Sequence, residues 1–126
     1  MKKVLILALA LLMVFPLVSC GNAYNNALEQ LYSEIPSGYI YTSAQLEELT
    51  KTHDAHGHFK GKILSFADFS TIDINGIPLY IYVYEFELEE DALYWYNNHT
   101  IGWTYAIIED NVVVYGSNKL INELDL

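Results

Sequence analysis

The sequence predicts a small single α+β domain with elements in the order α-α-β-β-α-β-β-α. Three observations carry that reading. Apolar residues recur with a helical period before Lys51 and with period two after Gly61. Asn75-Gly76 divides the first period-two region into two strands, and Asp110-Asn111 divides a second one. Two hairpins with helices between them give an antiparallel sheet of about four strands, with helices mainly on one face.

Leu28, Leu31, Tyr32 and Ile35 share one face of the first helix, which Pro36 and Gly38 end. A brief extended piece, Tyr39 to Tyr41, leads to the second helix. There Thr42 and Gln45 have the spacing of a capping box, and Leu46 and Leu49 form a thin apolar stripe. "KILSFADFSTIDI" and "IPLYIYVYEF" flank Asn75-Gly76, the pair that favours a tight hairpin because both residues tolerate positive φ. Glu89, Glu90 and Asp91 open the third helix, where carboxylates favour the positive end of the helix dipole. Its buried stripe is Leu88, Ala92, Trp95 and Tyr96. "WTYAIIE" and "VVVYG" form the second hairpin, and Ser117 or Asn118 caps a short last helix.

The first residues have a different character. Lys2 and Lys3 precede an apolar run from Val4 to Leu17, about 21 Å as a helix at ~1.5 Å per residue. A bilayer core asks for about 30 Å, so the layout is that of a secretory signal. Leu17-Val18-Ser19-Cys20 resembles the lipobox of bacterial lipoproteins. That resemblance implies cleavage before Cys20, a diacylglycerol thioether on its sulfur, and in some organisms a further acyl group such as palmitate on the new amino terminus. Two or more chains hold a protein stably on a membrane where one is marginal. The expected organisation is a signal peptide over 1–19, a lipidated Cys20 with a short tether over 20–26, and one α+β domain over 27–126. The location that follows is the outer side of the cell membrane.

Cys20 is the only cysteine, so a disulfide, a thiolate zinc site and a cysteine nucleophile are all excluded. From Cys20 onward four lysines and no arginine face sixteen carboxylates. Such a chain is repelled by nucleic acid and by anionic head groups. Cations, cationic partners and neutral ligands remain open, and solubility alone also accounts for the charge.

Chemistry is hinted at in "HDAHGHFKGK", where His53, His56 and His58 fall within six residues. Imidazoles ligate zinc, copper and nickel, and Asp54 or His99 would be available to complete a shell. The spacing matches no zinc signature. The contrasting reading is a glycine-shaped turn, with His53 near the positive-charge-favouring end of a helix. Asp54, His56, Gly57, Phe59 and Gly61 also resemble an Asp-x-His-Gly-x-Phe-x-Gly segment of small extracytoplasmic lipoproteins of Gram-positive bacteria. Tyr84 to Gly116 is similar to the same group. The resemblance brings no activity with it, and it implies a turn with one structural histidine, His56.

The tyrosines offer a second candidate. Tyr80, Tyr82, Tyr84 and Phe86 alternate with Leu79, Ile81 and Val83. If the third helix covers the aliphatic set, the tyrosines form an open platform, joined by Trp103 and Tyr105. Tyrosine suits contact surfaces for a protein, a peptide or a glycan. The acids Glu85, Glu87, Glu89, Glu90 and Asp91, and the fragment Asp73-x-Asn75-Gly76, resolve into no catalytic pair or calcium loop. The sequence therefore predicts a lipid-anchored, non-enzymatic binding module without a cofactor, its interaction face at Tyr80, Tyr82 and Tyr84. The alternative is a metal-binding lipoprotein using His53, His56 and His58.

Overall fold

The computed structural model describes residues 22–102 and 105–126. It has the α+β class and element order expected. The elements are α1 (Asn22–Glu34), β1 (Tyr39–Ile40), α2 (Ser43–His53), β2 (Ile63–Ile72), β3 (Pro78–Phe86), α3 (Glu89–His99), β4 (Tyr105–Glu109), β5 (Val112–Gly116) and a closing 3-10 helix, Lys119–Glu123. The strands form one antiparallel sheet in the order β1-β2-β3-β5-β4. The fifth strand is the short extended piece before α2, which pairs Tyr39 with Asp68 and Ile40 with Ala67.

Local signals behave as their chemistry dictates. The Thr42 hydroxyl accepts the Gln45 amide, and the Gln45 side chain accepts the Thr42 amide, closing the capping box. The Asn118 side chain accepts the Leu120 amide at the start of the last helix. The first hairpin turn is wider than a two-residue loop. Gly76 has φ 78°, but Asn75 is not in the left-handed region. Asp73 explains the difference: its carboxylate accepts the amides of both Asn75 and Ile77, and its own amide donates to the Ile77 carbonyl.

α1 begins at Asn22, so the tether expected through Asn26 is already helical. Ala23, Tyr24 and Ala27 extend the apolar stripe of Leu31 and Ile35 backwards and are buried with it.

The helices divide between the two faces of the sheet rather than gathering on one. α1 and the 3-10 helix cover the aliphatic face, where Ala67, Phe69, Ile81, Val83, Val112 and Val114 meet Leu31 and Ile121. α2 and α3 cover part of the opposite face. There Phe66, Tyr84, Phe86, Val113 and Tyr115 meet Phe59, Ala92 and Trp95, with Leu46 and Leu49 against them. The expected pairing of α3 with Leu79, Ile81 and Val83 is thus reversed. Trp95 lies against the rings of Tyr84 and Phe86 instead, 5.4 and 6.4 Å away. Tyr105 packs on the aliphatic face, and Trp103 lies outside the described residues.

Candidate functional site

The tyrosine face of β3 changes character along its length. Phe86 and Tyr84 are buried, Tyr84 with only 4 % of its surface exposed. Tyr82 is partly buried, and Tyr80 is 37 % exposed. Of the three residues expected to form an open platform, Tyr84 is therefore core. It stacks on Phe86 and Tyr115 and lies 4.6 Å from Phe66. Burial raises its hydroxyl pKa far above the ordinary tyrosine value.

Past Tyr84 exposure rises along β3 and towards the β1 edge, while Tyr115 on β5 stays buried. The register aligns Tyr39, Asp68, Tyr82 and Tyr115 in one row across β1, β2, β3 and β5. The next row outward pairs Ser70 with Tyr80, and the one beyond pairs Ile72 with Pro78. Tyr80 and Tyr82 stack at 6.2 Å, and Tyr82 approaches Tyr115 at 5.5 Å. On the other side of β2, Tyr39 meets Tyr41 edge-on at 5.8 Å. Asp68 stands between these two pairs of rings. The Ser70 hydroxyl donates to it at 2.7 Å. Burial, then the Asp68 charge and neighbouring phenols, raise the Tyr82 hydroxyl pKa. Tyr39 and Ile72 are 51 % and 68 % exposed. Asp68 was not singled out by sequence reasoning; alternation within β2 places it on the face of Phe66, opposite the tyrosines.

The histidines form a second centre. His53 and His99 stack on the Trp95 indole at 4.5 and 3.8 Å. His58 stacks on Tyr94 at 4.9 Å and approaches His56 at 6.1 Å. Nε2 of His53 lies 3.0 Å from the Tyr84 hydroxyl. Burial and then the nearby His99 lower the His53 pKa, so desolvation outweighs the helix end expected to favour its charge. Burial and then His58 lower that of His99. The structural histidine is accordingly His53; His56 is exposed. Among the described residues no group of three or more histidine, cysteine, aspartate or glutamate side chains is placed to hold a metal ion.

The rest of the histidine stretch is explained by its turn. Asp54 accepts the Phe59 amide at 2.8 Å, Gly57 has φ 70°, and Phe59 enters the core beside Phe86 and Trp95. The buried carboxylate of Asp91, from the first turn of α3, accepts the amides of Lys60 and Gly61 at 2.8–3.1 Å. Asp91 thus fastens the loop to α3, beyond its favourable place on the helix dipole. A Cβ on Gly61 would meet the Glu87 carboxylate at 2.7 Å. Glu85, next to last in β3, is buried and accepts from the Ser65 hydroxyl at 2.9 Å.

Compared with models of protein families, with curated proteins and with solved structures, the chain finds no match. Among the described residues no helix is long and apolar enough to cross a membrane.

Proposed function

We propose that this protein is a lipid-anchored, extracytoplasmic binding module without enzymatic activity, and that it docks a protein, peptide or glycan on the uncovered end of its tyrosine face. The observation that carries the docking face is the point at which helical cover ends. Tyr84 lies under α2 and α3, while Tyr82, Tyr80 and Tyr39 continue the same surface into solvent. Contiguous exposed apolar surface of this kind marks contact sites more often than bare solvation does.

The anchor rests on the Leu17-to-Cys20 resemblance. Burial, and then the Glu85 carboxylate at the far end of β3, raise the hydroxyl pKa of Tyr24 near the start of α1. Tyr32, near its end, packs edge-on against Phe69 at 4.9 Å and donates to the Gly38 carbonyl. The helix therefore runs towards the β2–β3 turn. Pro78 to Glu85 spans about 23 Å of strand at ~3.3 Å per residue. A lipid on Cys20, two residues before α1, would leave the open tyrosines at the end of the domain remote from the bilayer.

The test is photocrosslinking in cells with the full chain, carrying a benzophenone amino acid in place of Tyr80 or, as control, of exposed Leu93 on α3. A discrete adduct formed from position 80 and not from position 93 is expected. Equal, diffuse labelling from both would refute the docking face.

A further inference from the structure

The open face is mostly aromatic and aliphatic, yet a single carboxylate stands at its centre. In the row Tyr39–Asp68–Tyr82, adjacent strands lie about 4.8 Å apart, so a phenol ring rises on each side of the acid. The neighbouring tyrosines Tyr41 and Tyr80 extend these walls by ring contacts at 5.8 and 6.2 Å. Asp68 has no ion pair among the described residues; Lys60 is engaged with Glu90. One hydroxyl, from Ser70, occupies part of its accepting capacity. Beyond the acid, Ile72 and Pro78 continue the surface in apolar form.

Resting on the reading of this face as the docking surface, we infer that its partner is a protein segment presenting a lysine or arginine side chain between apolar residues. The cation settles on Asp68, between the rings of Tyr39 and Tyr82. A carboxylate with aromatic walls favours such a group twice, by direct charge pairing and by the ring quadrupoles. The flanking apolar residues then cover Ile72 and Pro78. The chain's large negative charge steers a basic segment towards it. A neutral sugar would use the rings and gain nothing specific from the acid's charge.

The full-length protein in neutral detergent, with labelled tyrosine rings, is titrated by NMR with acetyl-Leu-Lys-Leu-amide. The comparison probes are the same peptide with norleucine for lysine, and diacetylchitobiose. The lysine peptide is expected to shift Tyr39, Tyr80 and Tyr82 saturably and to bind at least about tenfold tighter than the norleucine peptide, a ratio worth about 1.4 kcal/mol. Asp68→Asn, which keeps an acceptor for Ser70, should bring the two peptides to the same affinity, and added salt should weaken only the lysine peptide. Equal binding of the two peptides to the native chain overturns the cationic partner while leaving an apolar docking face standing. Stronger binding of the disaccharide overturns it in favour of a glycan surface. No ring shift with any probe overturns it as well, and the crosslinking experiment then decides separately whether the face docks anything.

Discussion

Nε2 of His53 and the hydroxyl of Tyr84, 31 residues apart, meet at 3.0 Å and tie the end of α2 to the middle of the sheet. Burial disfavours charge on both groups. The Trp95 indole separates His53 from His99, whose pKa is lowered as well.

The sign of the pH dependence follows. Both imidazoles have folded pKa values below the unfolded value of 6.5. Between the folded and unfolded values the unfolded chain binds more protons, so stability rises with pH. Their contribution is complete above the unfolded value and is lost as pH falls through the folded ones. Tm should drop as pH is lowered from about 7.5 to about 5, across the ordinary imidazole range. His53→Gln should flatten part of that drop. A Tm in the native chain that does not move across this interval contradicts the account.

The tyrosines should form a graded series. Tyr84→Ala removes a buried ring and should cost about 3–5 kcal/mol. Tyr80→Ala, at an exposed position, should stay within about 0.5 kcal/mol. Tyr82→Ala should fall between them. Urea denaturation of the three variants measures this directly, and equal losses would mean that burial does not grade along β3 as described.

Asp91 should matter more than a helix-start carboxylate normally does. Asp91→Ala leaves the amides of Lys60 and Gly61 without their acceptor, at about 1–3 kcal/mol for each donor left buried. Glu89→Ala, just over half a turn away and exposed, should cost only a few tenths of a kcal/mol to about 1 kcal/mol. Denaturation midpoints that fall equally for the two would show that Asp91 acts through the dipole alone.

Cys20→Ala should abolish fatty-acid labelling and leave an uncleaved precursor. Labelled fatty acid on the alanine variant would remove the basis for the anchor.

Local chemistry was legible in the sequence. The Thr42–Gln45 box, the Asn118 cap, the alternation in β3 and the order of elements all depend on residues near one another along the chain. The two-residue β1 was visible only as an extended piece, because pairing with β2 is what makes it a strand. Which helix covers which face was not legible. Alternation separates tyrosines from aliphatics, and does not say that Trp95 prefers Tyr84 and Phe86 to Ile81 and Val83. The aromatic content of α3 and of Phe59 was the available signal: rings on a helix need rings or a broad apolar floor to pack against. Asp68 escaped notice, and Asp91 was legible only as a helix-start carboxylate, for a related reason. Each draws its meaning from partners across the fold, and an isolated acid in the sequence reads as surface.

The strand order has a kinetic meaning. β2–β3 and β4–β5 are each closed by a short turn, so each ladder forms early and locally. The β3–β5 ladder, with Val83 opposite Val114, joins the two hairpins only after the intervening α3 has been looped out. Closing that loop is the slow, entropically costly event, and both hydrophobic layers depend on it. With no thiol pair to hold its halves together, a refolding chain would cross its main barrier at the Val83–Val114 rung.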